Sequence, residues 1–310
     1  MEGKKRKIRK FYIKAAQHIY QRAKKGFLFA YTTGDYLVIS TIIFTVFRKY
    51  DTRPWGVCIM PEHLHFLARF IDKKLMSMAM DEIFCQITKE FNKHYGIKGS
   101  LFSRRYGNAG KFEDKKVRTA IAYLYNNPVE KKVAERCEDC RWTFLPYATG
   151  SHPFSEPLVR NQSSQRLRAA IKEVDIRYNA MTPIHYNVLE RISKHLSDKE
   201  KAQLADYIIS TYNNIDFEEI IHYYGSYEAM ILAINSNTGS EFDIREEKHP
   251  SPDTVYPRLY SILKERRLDN SFLRLDKKER QKLARELFLI TGVPRYQIAK
   301  FLHLDTGDDF

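Results

Sequence analysis

The chain has 310 residues, 43% of them hydrophobic, which allows one sizeable domain with a second body and excludes wholesale disorder. Its 52 Lys and Arg against 38 Asp and Glu leave a formal charge of +14, a surplus that suits a polyanionic partner through counterion release. Four cysteines argue against a disulfide scaffold. The apolar stretch 36–47 is too short to span a bilayer and the start, Lys4-Lys5-Arg6-Lys7, lacks the apolar run of a secretion signal, so a soluble cytoplasmic protein away from membranes is expected.

Residues 17–22 and 27–31 read as short strands separated by Lys24-Lys25-Gly26. Asp35 can cap a helix running to about residue 50, although 39–47 is so rich in β-branched residues that a strand is equally permitted. Residues 55–60 form an apolar strand stopped by Pro61. A further strand over 63–70 puts His63, His65 and Leu67 on one face and Leu64, Phe66 and Ala68 on the other. The clearest helix covers 74–95, with Phe84, Ile87, Phe91 and Tyr95 in one stripe and Gly96 at its C-cap. After a basic loop, Glu113-Asp114 opens a helix through Tyr123 to about Asn127, where Pro128 discourages continuation. This order predicts an α+β fold, an antiparallel sheet with helices on one face. Breakers and small polar residues over 147–165 divide the chain into 1–150 and 151–310. Helical periodicity over 197–214, 216–236 and 277–290 makes the second part a mainly α-helical accessory region. Cys137 and Cys140 form a lone Cys-x-x-Cys and read as spare thiols rather than a zinc site.

The informative octet is Met60-Pro61-Glu62-His63-Leu64-His65-Phe66-Leu67. Residues two apart on a strand project to one side, so both imidazoles point at one locus and suit a divalent ion with open positions. The plainer alternative, one packed and one exposed histidine, leaves polar rings on an apolar strand without obvious partners. In Ala120-Ile-Ala-Tyr-Leu-Tyr-Asn-Asn-Pro128, Tyr123 and Asn127 are i, i+4 neighbours on one helix face, a phenol one turn from an amide oxygen. Tyr125 faces elsewhere.

Together the two segments resemble the paired signatures of the REP-associated, IS200-like tyrosine transposases of the HUH endonuclease superfamily. His18-Ile-Tyr-Gln-Arg22, Gly99-Ser-Leu-Phe-Ser-Arg-Arg-Tyr106 and Trp142-Thr-Phe-Leu-Pro-Tyr147 match in order, so the resemblance covers about 11–148. It implies a ferredoxin-like nuclease domain over 1–150, with His63, His65 and Asn127 holding a divalent metal, Mg²⁺ or Mn²⁺. Tyr123 is then the nucleophile that forms a 5′-phosphotyrosine on single-stranded DNA, at hairpin-forming ends. Because imidazole binds metal only when neutral, activity should decline in mild acid. Glu62, Phe102 and Glu130-Lys131-Lys132 depart from the family pattern and put substrate recognition, not chemistry, in question. The rivals are a relaxase or replication-initiator nuclease, a non-catalytic nucleic-acid-binding protein that kept the fold, and a metal hydrolase using water. The same residues serve a monomer or a homodimer.

Single strands are held by basic grooves with aromatic platforms. Candidates are Lys4–Lys10, Arg22, Lys24, Lys25, Arg104, Arg105 and Tyr106. Near the C-terminus, 277–304 resembles part of a helix-turn-helix in two registers. One pairs 283–291 with 295–302. The other, favoured for its apolar pattern, starts with 296–302.

Overall fold

The computed structural model describes residues 11–103, 105–236, 255–305, 307–308 and 310; the basic run Lys4–Lys10 and Arg104 lie outside them. Strands and long helices alternate as β1 (Ala16–Arg22), α1 (Thr33–Lys49), β2 (Pro54–Ile59), β3 (His63–Ala68), α2 (Lys73–Tyr95), β4 (Gly107–Lys111) and α3 (Asp114–Glu130). The four strands make one antiparallel sheet in the order β2-β3-β1-β4. Thus α1 carries the chain from β1 to β2 across β3, and α2 carries it from β3 to β4 across β1. These are two interleaved split β-α-β units.

The ambiguous stretch 39–47 is helical. Thr32 is the N-cap and Asp35, at the third helical position, completes a capping box with it. Almost all of α1 beyond the cap is buried, so its β-branched side chains pack on every side and tertiary burial overrides local propensity. Residues 27–31, expected as a strand, carry no ladder. Asp35 Oδ2 accepts the Tyr31 and Thr32 amides at 2.9 and 2.8 Å, while the Phe29 amide bonds to Pro61 O and Leu28 to Lys300 O. The donors that a partner strand would have used are already spent.

The expectation of helices on one face is corrected. Every residue of β2 and β3 is buried, so the sheet needs cover on both sides. Ile19, Val57, Leu64 and Phe66 meet α1 and α2 on one side; Ala16, Cys58 and Leu67 meet Val117, Ile121 and Leu124 of α3 on the other. Strand β4 escaped the sequence reading because Gly107-Asn108-Ala109-Gly110 has low β propensity. Pairing with β1 makes it a strand, and Gly107 is needed there because a Cβ would come within 2.1 Å of the Tyr20 ring.

Helices α4 (Gln165–Asn179), α5 (Tyr186–Ser193), α6 (Asp198–Tyr212), α7 (Phe217–His222), α8 (Tyr227–Asn235), α9 (Val255–Glu265), α10 (Lys277–Thr291) and α11 (Arg295–Phe301) follow. Gly225, at φ 82°, breaks the expected helix 216–236 into α7 and α8. These two cover the outer side of α3: Ile220, Met230 and Ile234 join its core cluster, and Tyr224 Oη donates to Arg118 O at 2.7 Å. The remaining helices share one core with α1 and α2, through residues such as Val188, Ile209, Leu259 and Phe301. Gly292, at φ 66°, caps α10 and Pro294 opens α11, so the register with α10 first has both helices. No helix follows α11 among the described residues, and the apolar pattern of Ile298, Phe301, Leu302 and Leu304 reports burial in that core. No helix among the described residues is long and apolar enough to cross a membrane.

Candidate active site

Alternation along β3 aims His63 and His65 at α3, whose Tyr123 and Asn127 sit one turn apart on the facing side. His63 Nε2 lies 3.1 Å from Asn127 Oδ1, within hydrogen-bond reach. The His63 and His65 rings are 5.0 Å apart and nearly perpendicular, and the Tyr123 ring stands 5.7 Å from that of His65. The four side chains proposed from the sequence converge.

A fifth arrives from β1. His18 Nε2 lies 3.2 Å from His65 Nδ1, and its ring is 5.7 Å from Tyr123. Sequence reading quoted His18 only as part of a motif, because nothing local says which strand β1 pairs with. The antiparallel register sets Tyr20 opposite His65 and Arg22 opposite His63, which places His18 on the same face. The locus is nearly closed: His63 and Tyr123 are each 3% exposed, His65, His18 and Asn127 0%.

The rival phenol is disposed of by its surroundings. Tyr125 is fully buried, donates to Trp55 O at 2.9 Å, and desolvation pushes its hydroxyl well above the usual tyrosine range. It is a packing residue.

Among the described residues no group of three His, Cys, Asp or Glu side chains is arranged to hold a metal. The donor set here is different, two imidazoles and a carboxamide. Two ligands of a six-coordinate ion at right angles lie about 3 Å apart, which the 3.1 Å His63–Asn127 separation matches. Asn127 Nδ2 is buried with no hydrogen-bond partner among the described residues, so only its oxygen side is engaged. The residues fit a divalent ion.

The basic candidates gather at the end of the sheet that carries His63. Arg22 is opposite it, Lys24 and Lys25 follow on the turn beyond β1, and the Ser103 amide bonds to Arg22 O just ahead of Arg105. Lys24 and Arg105 are exposed, whereas Lys25 pairs with Asp305. Tyr106 is not presented to solvent. It is 6% exposed, packed against Phe84, with its hydroxyl 3.4 Å from Ser77 Oγ.

No family model matches the chain, and no curated protein is similar to it. Among solved structures the chain is similar to a REP-associated tyrosine transposase bound to a REP hairpin. The match has 21% identity and a TM-score of 0.39, covering 44% of this chain and 81% of that one.

Proposed function

We propose that this chain is a metal-dependent tyrosine strand transferase of the HUH type, acting on single-stranded DNA at hairpin-forming ends. The observation that carries the reading is the convergence of Tyr123 with His63, His65 and Asn127, side chains from a strand and a distant helix meeting at one buried locus. The interleaved βαββαβ order fits the ferredoxin-like domain that the sequence motifs imply.

In this reading His63, His65 and Asn127 would hold Mg²⁺ or Mn²⁺, which when bound would supply Lewis-acid polarisation of the scissile phosphate. His65 Nδ1 lies 3.2 Å from His18 Nε2, so His65 would offer Nε2 to the ion, and His18 would act as a positioning residue for that ring. The Tyr123 phenolic oxygen attacks phosphorus in line. A P–O bond to the new phosphotyrosine forms, the P–O3′ bond breaks, and the phenol's proton ends on the departing 3′-oxygen. Attack by another 3′-hydroxyl reverses the step and joins strands. Arg22, Lys24 and Arg105 face the phosphates that flank the cut. Because the locus is nearly closed, a phosphate enters only as the side chains over it give way.

The test is incubation of labelled, hairpin-bearing single-stranded DNA with Mn²⁺, resolved on a denaturing gel. A covalent adduct in the unaltered protein that is lost in Tyr123→Phe is the expected result. Cleavage by Tyr123→Phe would assign the nucleophile to water, and binding without cleavage by the unaltered protein would sink the catalytic reading.

A further inference from the structure

A cleft of about 760 Å³ lies between the first half of the chain and α9. That volume is in the range of about 300–1,000 Å³ that takes a ligand of several rings. Three of its lining residues, Met60, Pro61 and Val133, adjoin in the chain the segments of the candidate active site, whose own side chains do not line it. Pro61 lines it, next to Met60, whose amide donates to His63 O at 2.9 Å; Val133 lines it too, and its amide donates to Pro128 O at 2.7 Å, just past Asn127. The cleft therefore draws part of its lining from chain that is continuous with the segments carrying His63 and Asn127.

Aromatic side chains are prominent in its lining, and exposed cations stand at or beside it. Tyr36 and Trp142 stack with centroids 4.4 Å apart, and both rings are half-buried. Tyr260, on α9, also lines the cleft and is half-buried, its ring stacked at 6.3 Å on that of Tyr31, one turn from the exposed Lys264. Exposed Lys132 and Arg258 adjoin lining residues in the chain. The lining Arg141 pairs with Asp206 at 3.1 Å, and one exposed acid of the lining, Asp139, stands against the three exposed cations Lys264, Lys132 and Arg258. Flat aromatic side chains with cations beside them suit unpaired bases, which have free π-faces, better than paired bases already stacked on each other.

We propose that this cleft binds the single-stranded flank of the DNA substrate, with bases against Trp142 and Tyr260 and phosphates toward Lys264 and Arg258. Helix α9, which lies beyond the segment resembling any nuclease motif, is then part of the DNA-binding machinery. The proposal takes its substrate class from the proposed function, but its geometry is independent of Tyr123 chemistry.

The test is fluorescence anisotropy with a labelled hairpin, bare or carrying a single-stranded flank of about four nucleotides. Stacking of one or two bases should tighten binding of the unaltered protein by about tenfold or more when the flank is added. Trp142→Leu and Lys264→Glu should each reduce that gain, leaving bare-hairpin affinity as it was, and Trp142→Phe should keep it. Lys264→Glu, at an exposed position, and Tyr260→Leu carry the test if Trp142→Leu loses its folded circular dichroism spectrum. No flank gain in the unaltered protein, an undiminished gain in the variants, or an equal loss on the bare hairpin would overturn the proposal. The covalent-adduct gel separates the two readings: a flank gain without any Tyr123 adduct keeps the cleft and sinks strand transfer, and an adduct without a flank gain does the reverse.

Discussion

The two faces of the sheet bury their residues equally well but by different means. Toward α1 and α2, Leu64 and Phe66 of β3 meet a continuous apolar layer in which Phe47 lies edge-on to Phe66 at 5.7 Å. Toward α3, the alternate residues of the same strand are His63 and His65, and their polar atoms meet specific atoms: Asn127 Oδ1 at 3.1 Å and His18 Nε2 at 3.2 Å. An apolar layer is held by many small, exchangeable contacts. A buried polar layer is tolerated only where donors and acceptors are matched. The histidine face therefore fixes where α3 and β1 stand relative to β3 and assembles the candidate site, while the other face supplies the continuous apolar burial.

That division can be broken by substitutions on either side. The largest effect is expected from Tyr123→Phe, which keeps the ring and removes the hydroxyl. Adduct formation should fall at least about ten-thousand-fold, about 5.5 kcal/mol of barrier, with the urea midpoint almost unmoved. Phe66→Ala, on the opposite face, should cost about 3–5 kcal/mol in urea unfolding, through a cavity against Phe47 and Phe84. If that variant unfolds no more easily, the apolar face does not hold the domain together.

A smaller effect tests whether the apolar side tolerates charge. His303 has Nε2 2.7 Å from Leu28 O and stacks on Phe27, and burial pushes its pKa down to about 4. Its folded value lies below the unfolded one, near 6.5. The stability it lends is complete above about pH 6.5 and drains as pH falls toward 4, because the unfolded chain takes the proton first; the loss is about 3 kcal/mol at most. The melting-temperature gap between the unaltered protein and His303→Gln should narrow over that window, and a constant gap would refute the account. The smallest change is Tyr125→Phe, which removes the bond to Trp55 O and should cost about 1–2 kcal/mol with the adduct yield unchanged. Loss of the adduct in this variant would reassign the nucleophile.

Much of the site was legible because its signals are local. The period of two along β3 sets His63 and His65 to one side, and the i, i+4 spacing on α3 sets Tyr123 beside Asn127; both follow from backbone geometry within a few residues. The cap at Gly96 and the stripe of α2 are of the same kind. Other features depend on partners distant in the chain. His18 joined the site only through the register of β1 on β3. The glycine-rich β4 became a strand only by pairing, and 27–31 lost its strand because Asp35 took its amides. The choice of face for α3, and the fusion of residues beyond 165 into the core of α1 and α2, were likewise decided by which apolar surfaces remained to be covered. Sequence periodicity states which side chains share a face; only long-range burial and register decide what that face meets.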